Sequence, residues 1–204
     1  MITLYGVPRS RTLRCIWMLE EVGAPYRLEK SPASDGSWHS PEYTAINPNR
    51  KIPALRDGEL VLWESLAINQ YLAEKYGGTL WPETPEARGL VYQWGLWANG
   101  ELDPHLFTAI YHRLLAAEAH RDEEKAVQAE ATLQKPLGVL NAALESHVFL
   151  LGDAFTAADL NVASVAAWAP WARVDLTAFP AAAAWLNGCL ERPASKKALA
   201  KLQQ

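Results

Sequence analysis

Cysteine is nearly absent from this chain: Cys15 and Cys189 are the only two in 204 residues, and they stand far apart. With no C-x-x-C spacing, a disulfide framework, a dithiol redox motif and a thiolate zinc site all lack their basic pattern. The histidines, at 39, 105, 112, 120 and 147, are scattered without H-E-x-x-H grouping, so no metal is expected. No long basic run occurs, and 19 Lys and Arg against 23 Asp and Glu leave a formal charge of −4, which argues against nucleic acid and anionic membranes as partners. The richest apolar stretch, 162–172, is too short to cross a bilayer and contains Pro170. No basic leader precedes the first apolar run, which begins at residue 2, so the expected setting is cytoplasmic and the expected substrates small molecules. No internal repeat occurs.

What is present is strongly ordered along the chain. Ile2-Thr3-Leu4-Tyr5 reads as a strand, Gly6-Val7-Pro8-Arg9-Ser10 as a turn, and residues 11–21 as a helix carrying Leu13, Ile16, Trp17 and Glu20 on one face. Ser10 falls at the start of that helix. Its hydroxyl either caps the first turn or serves a bound anion, which free N–H groups and the helix dipole would also favour.

After a break at Gly23-Ala24-Pro25, the alternation in Tyr26-Arg27-Leu28-Glu29 predicts a second strand. Residues 31–49 read as loops around a short helix over 41–46. Ile52-Pro53-Ala54-Leu55 then reads as a strand, Asp57-Gly58 as a two-residue turn and Leu60-Val61-Leu62-Trp63 as the returning strand. A helix opened by Glu64-Ser65 follows, with Ala67, Ile68, Tyr71 and Leu72 on one face and Gly77-Gly78 as its stop.

These spacings predict an α/β domain over 1–76 in the order βαβ-α-ββα, a linker over 77–85, and an all-α domain over 86–204. The helices expected in the second half cover 86–118, 122–146, 156–169, 179–191 and 194–202, with kinks at Pro104 and Pro136. Thr156-Ala157-Ala158-Asp159, flanked by Phe155 and Leu160, reads as a capping box with a hydrophobic staple.

This set of motifs resembles the glutathione transferase family, a thioredoxin-like domain joined to a helical bundle. The resemblance rests on Ser-x-x-x-Arg at Ser10 before Trp17-Met18-Leu19-Glu20-Glu21, and on Asn47-Pro48-Asn49-Arg50-Lys51-Ile52-Pro53-Ala54-Leu55. It rests also on Asp57-Gly58 with Trp63-Glu64-Ser65-Leu66-Ala67-Ile68 and on the box from Phe155 to Asp159. The pattern is similar to the serine-type members, the theta-like and related bacterial groups.

The resemblance implies glutathione as co-substrate, no metal, a homodimer, a role in detoxification, and a hydrophobic electrophile as second substrate. Ser10 would then stabilise the glutathione thiolate, with Thr12 as the alternative hydroxyl. Lowering a thiol pKa from about 8.5 by two units requires about 2.7 kcal/mol of preferential thiolate stabilisation. A hydroxyl bond to an anion contributes about 1.5 to 3 kcal/mol and a helix N-terminus about 0.3 to 1.

Ile52 and Pro53 would form the family's cis-proline turn, and Glu64 and Ser65 would hold the γ-glutamyl end. Lys51 and His39 or Trp38 would reach the rest of the tripeptide. Arg9, Arg11, Trp97, Glu101, His105, Thr108 and Tyr111, with Trp171, would line the electrophile pocket, although aromatics at such spacing also suit core packing. Two other readings stay open: a binding module of this fold without activity, and a glutathione-dependent peroxidase or thiol oxidoreductase.

Overall fold

The computed structural model describes residues 1–30 and 37–203. The remainder of the 31–49 region, including the short helix, is described; 31–36 lie outside. The described residues divide into two compact units, Met1–Trp81 with Arg192–Gln204, and Pro82–Glu191.

The first unit is built on four strands, β1 (Ile2–Tyr5), β2 (Tyr26–Glu29), β3 (Ala54–Asp57) and β4 (Leu60–Trp63), in the order β2-β1-β3-β4. β2 runs parallel to β1, whereas β3 is antiparallel to β1 and to β4. Helices α1 (Leu13–Val22) and α3 (Ser65–Tyr76) pack on each other, and α2 (Pro41–Ile46) matches the range expected. Leu4, Ile16, Met18, Leu19, Leu55, Ile68 and Leu72 are fully buried in this unit.

Two boundaries differ from the sequence reading. β3 begins at Ala54 rather than Ile52, because Pro53 has no N–H to give a ladder and the Ile52–Pro53 peptide is cis. The β3–β4 turn is Gly58-Glu59 rather than Asp57-Gly58, because Asp57 is the last residue of β3 and pairs with Leu60. Ahead of α1 the backbone leaves the helical region only at Arg9 (φ −76°, ψ 43°) and Ser10 (φ −152°, ψ −173°), so it is helical from Arg11 onward, as expected.

In the second unit, the helix expected over 86–118 is instead α4 (Pro85–Trp97) and α5 (Asp103–Ile110), joined by a wider π-type turn at Ala98–Leu102 and followed by another at Tyr111–Leu115. Pro104 sits in the first turn of α5, where its missing N–H costs nothing. α6 (Glu123–Leu144) runs as one helix through Pro136, and the helix expected over 156–169 is α7 (Ala157–Ala166) and α8 (Ala169–Ala172). α9 (Pro180–Leu190) completes this unit.

α7 is buried at every residue, as a helix apolar nearly all round must be. Its N-terminus is the expected capping box: Thr156 Oγ1 accepts the Ala158 N–H at 3.3 Å, and Asp159 Oδ2 accepts the Thr156 N–H at 3.0 Å. The final helix, α10 (Pro193–Ala200), packs on α1 and so joins the first unit, whereas its composition had grouped it with the helical half.

Candidate active site

The sheet topology gathers the candidate residues at one end of the first unit. Tyr5, the last residue of β1, pairs with Ala54, the first of β3, and with Glu29, the last of β2; Ala54 also pairs with Trp63, the last of β4. The segments leaving or entering at that end are therefore the Ser10 turn after β1, the chain beyond β2, the Lys51-Ile52-Pro53 approach to β3, and Glu64-Ser65 after β4.

Ser10 is half-buried. Its hydroxyl oxygen lies 2.7 Å from the Val7 carbonyl and 2.8 Å from Thr12 Oγ1, and it accepts the Thr12 N–H at 3.1 Å. It thus caps the helical backbone that follows: Ser10 is extended (φ −152°, ψ −173°), Thr12 is already helical (φ −57°, ψ −31°), and the serine oxygen takes the N–H two residues on. Thr12 has no exposed surface, and a Cβ on Gly6, whose φ is +143°, would stand 2.1 Å from its hydroxyl oxygen. Only glycine tolerates that contact and that backbone angle.

Lys51 is exposed, and its carbonyl is held by the Tyr43 hydroxyl and by Asn47 Nδ2, each at 2.7 Å. Burial pushes the Tyr43 phenol up to about 12, so it remains a donor at neutral pH. The two bonds set the backbone just ahead of the cis Ile52–Pro53 peptide. Ile52, before the first sheet residue, is half-buried and Pro53 is buried.

Glu64 is exposed and has φ +73°, an uncommon conformation for a non-glycine residue that functional sites retain more often than ordinary turns do. Ser65, buried, is the first residue of α3, whose N-terminus has no side-chain cap. Free N–H groups at such an end suit a carboxylate. His39 is exposed in a short turn over Ser37–His39, and Trp38 beside it is half-buried.

Of the proposed electrophile residues, Arg9 is exposed and Arg11 half-buried on the Ser10 turn. Trp97, Glu101, His105, Thr108 and Tyr111 belong to the second unit. The π-type turn at Ala98–Leu102 breaks the regular spacing between Trp97 and His105 and includes exposed Glu101. Trp97 packs edge-on against Trp94 with centroids 5.1 Å apart, Thr108 returns its hydroxyl to the Pro104 carbonyl at 2.8 Å, and His105 is half-buried.

Tyr111 is exposed, with its ring 6.2 Å from Phe107, and Phe107 in turn lies 6.2 Å from Trp168. Phe107 and Trp168 are not among the residues expected at the pocket. Phe107 is one helical turn from Tyr111 and was legible by that spacing; Trp168 was not. Trp171 is exposed.

The model of the glutathione S-transferase N-terminal domain matches residues 1–74, and that of the C-terminal domain matches residues 102–193. The disulfide-bond oxidoreductase YfcG of Escherichia coli K12 is 37% identical over 216 residues, covering 100% of this chain and 96% of that protein. The chain belongs to the glutathione S-transferase family.

Among solved structures, glutathione S-transferase I from maize in complex with an atrazine glutathione conjugate has a TM-score of 0.89 at 32% identity, covering 99% of this chain and 98% of that one. The theta class enzyme of Xanthomonas axonopodis pv. citri with glutathione bound has a TM-score of 0.88 at 30% identity, covering 97% and 96%. Family membership makes this chain a glutathione transferase with glutathione as its substrate. Among the described residues, no helix is long and apolar enough to cross a membrane.

Proposed function

We propose that this transferase conjugates glutathione to hydrophobic electrophiles and that Ser10 stabilises the attacking thiolate. The observation that carries the reading is the half-buried Ser10 hydroxyl on an irregular turn, at the sheet end that also holds the cis Ile52–Pro53 peptide and the uncapped start of α3. A tripeptide held by the Ile52 backbone, with its γ-glutamyl carboxylate at the Ser65 N-terminus and its ammonium at Glu64, would bring its thiol toward that turn. Lys51 and His39 are assigned to the rest of the tripeptide.

On binding, the thiol loses its proton to water and the Ser10 hydroxyl donates to the resulting anion. The thiolate lone pair forms the new S–C bond, and the leaving group departs with the electron pair of the bond it breaks. Ser10 acts as a donor, since its own proton is held too tightly for it to serve as a base. Residues assigned to the electrophile are Arg9 and Arg11 within the first unit and, within the second, Trp97, Glu101, His105, Thr108 and Tyr111.

We further propose a homodimer, supported in each unit by exposed apolar residues: Leu60 and Trp63 on the edge strand β4, and Leu90 and Leu96 on α4. Detoxification in the cytoplasm is the setting that fits this activity.

Calorimetric titration with glutathione tests the binding assignment: Ser65→Ala and Glu64→Ala should weaken it about tenfold or more, the loss of one charge-assisted bond, and unchanged affinity would reject it. Ser10→Ala should retain binding while the thiolate absorbance of the bound tripeptide at neutral pH falls.

A second reading, glutathione-dependent disulfide exchange, is favoured by the likeness to YfcG. Both cysteines are buried, so the exchanging sulfur would come from glutathione itself. Turnover of a small disulfide faster than that of an aryl halide would favour this reading.

A further inference from the structure

The turn that carries Ser10 is irregular, and it is bonded within itself and to the end of β2. Thr12 presses its hydroxyl toward Gly6, the Gly6 N–H is tied to the Glu29 carbonyl at 3.0 Å, and Ser10 bonds back to Val7 and Thr12. Among the segments that meet this turn is one from far along the chain: the short Lys201–Gln203 turn packs against Pro8–Thr12.

The stretch leading there is anchored at the opposite end of α1. Arg192 Nε contacts the two carboxylate oxygens of Glu21 at 3.1 and 3.2 Å, and its Nη2 donates to Oε1 as well. Glu21 Oε2 also accepts the Trp17 indole N–H at 3.3 Å. The Glu21 side chain is only 9% exposed, so this paired contact is shielded from the screening that weakens surface ion pairs.

Between the two ends, Ala194, Ser195 and Ala198 of α10 are buried, and α10 packs along α1. The contact is antiparallel, with Arg192 beside the last turn of α1 and Lys201–Gln203 beside the turn before it. The lengths agree: ten residues of α1 span about 15 Å, while eight of α10 and three in a tighter turn span about 18 Å.

We infer that the segment from Arg192 to Gln203 is a positioning strut for Ser10, braced on Glu21 at one end and holding the Pro8–Thr12 turn at the other. The second unit is thus inserted in the chain between the sheet of the first and the strut that completes it. The residues of the strut touch neither thiol nor electrophile in this role; they set the angle at which the Ser10 hydroxyl is offered. A donor bound to sulfur loses strength steeply as its alignment degrades, so a loosened turn weakens the thiolate contact before it weakens binding at Ser65.

The inference rests on Ser10 being the thiolate donor, and the experiment separates the two. The pH dependence of thiolate absorbance for bound glutathione would be followed in the full-length protein, in Ser10→Ala, in a chain ending at Ala200, and in a variant with two glycines inserted after Ala200. The insertion keeps every strut residue but displaces the final turn, and so serves if the shortened chain does not fold.

The expected result is a thiol pKa raised in all three, with the thiolate fraction near the original midpoint down about fivefold or more, and with glutathione affinity within about twofold in the shortened and inserted chains. An unchanged titration in a folded shortened or inserted chain, while Ser10→Ala shifts, overturns the strut. No shift in Ser10→Ala removes the thiolate role of Ser10, and the strut with it.

Discussion

The hydroxyl oxygens of Ser10 and Thr12 lie 2.8 Å apart, yet Ser10 is half-buried while Thr12 has no exposed surface. Two hydroxyls two residues apart in sequence therefore have different prospects. Ser10 has a single proton with the Val7 carbonyl at 2.7 Å as a competing acceptor, whereas the Thr12 hydroxyl lies toward the Gly6 backbone. Thr12→Val, which keeps the shape and removes the hydroxyl, should cost about 1 kcal/mol in stability and leave most of the thiolate stabilisation in place. Paired thiol titrations of Thr12→Val and Ser10→Ala check this; a larger shift in Thr12→Val would exchange their roles.

Asp57 closes the β3–β4 turn onto the end of α3: its Oδ2 accepts from Lys75 Nζ at 2.7 Å, from the Tyr76 hydroxyl at 2.7 Å and from Tyr71 at 2.8 Å. Hydrogen bonds from Lys75 and then Tyr76 hold its carboxyl down at about 2. A carboxylate with a depressed folded pKa contributes stability that is complete above its unfolded value of about 3.9 and fades as pH falls through the folded one. Acidification from about pH 4 toward 2 should therefore remove about 1 to 2 kcal/mol through this group. Denaturant melts of Asp57→Asn should lack that component of the acid dependence.

Cys15 has no exposed surface, donates weakly to the Ser65 carbonyl at 3.5 Å, and has its thiol pKa pushed up by burial. Cys189 is likewise buried. Neither thiol should react with an aromatic disulfide reagent in the native protein, and both should react once it is unfolded. Cys15→Ser should keep transferase and disulfide-exchange rates within about twofold; loss of exchange alone would mean that a protein thiol takes part.

Asp159 serves four donors at once: the Leu150 N–H, the Thr156 N–H and hydroxyl, and the Trp185 indole. Asp159→Asn replaces an acceptor oxygen by an amide that cannot accept, at a side chain with no exposed surface. A loss of about 2 to 4 kcal/mol in urea unfolding is expected, with no change in the thiol titration of the folded fraction.

Local chemistry is why so much of this protein was legible in its sequence. The alternation in Tyr26-Arg27-Leu28-Glu29, the Pro41–Ile46 helix and the Thr156–Asp159 box each depend on residues within a few positions of one another, and each appears in the structure, while the hairpin turn lies one residue on from the place expected, at Gly58-Glu59. Ile52–Pro53 is cis, as its surrounding motif implied, and Ser10, Lys51, Glu64 and Ser65 stand at one end of the sheet.

Tertiary structure alone decided the rest, because the contacts responsible join distant parts of the chain. Ser10 caps the helical backbone ahead of α1, but the kink at Arg9 and the close approach of Thr12 to Gly6 that shape its turn are not set by local propensity. Arg113, from what had read as one uninterrupted helix, instead ties the Tyr111–Leu115 turn to Glu130 at 2.8 Å and to the Ala172 carbonyl at 2.5 Å.

Glu21 and Arg192 lie 171 positions apart, and nothing in either neighbourhood announces the other. Composition placed α10 among helices; buried area and one shielded ion pair placed it on α1, because a small helix goes where its apolar face is covered. A serine ahead of α1 was legible from its neighbours; that the Lys201–Gln203 turn packs against the segment carrying it was not, since the two stand at opposite ends of the chain.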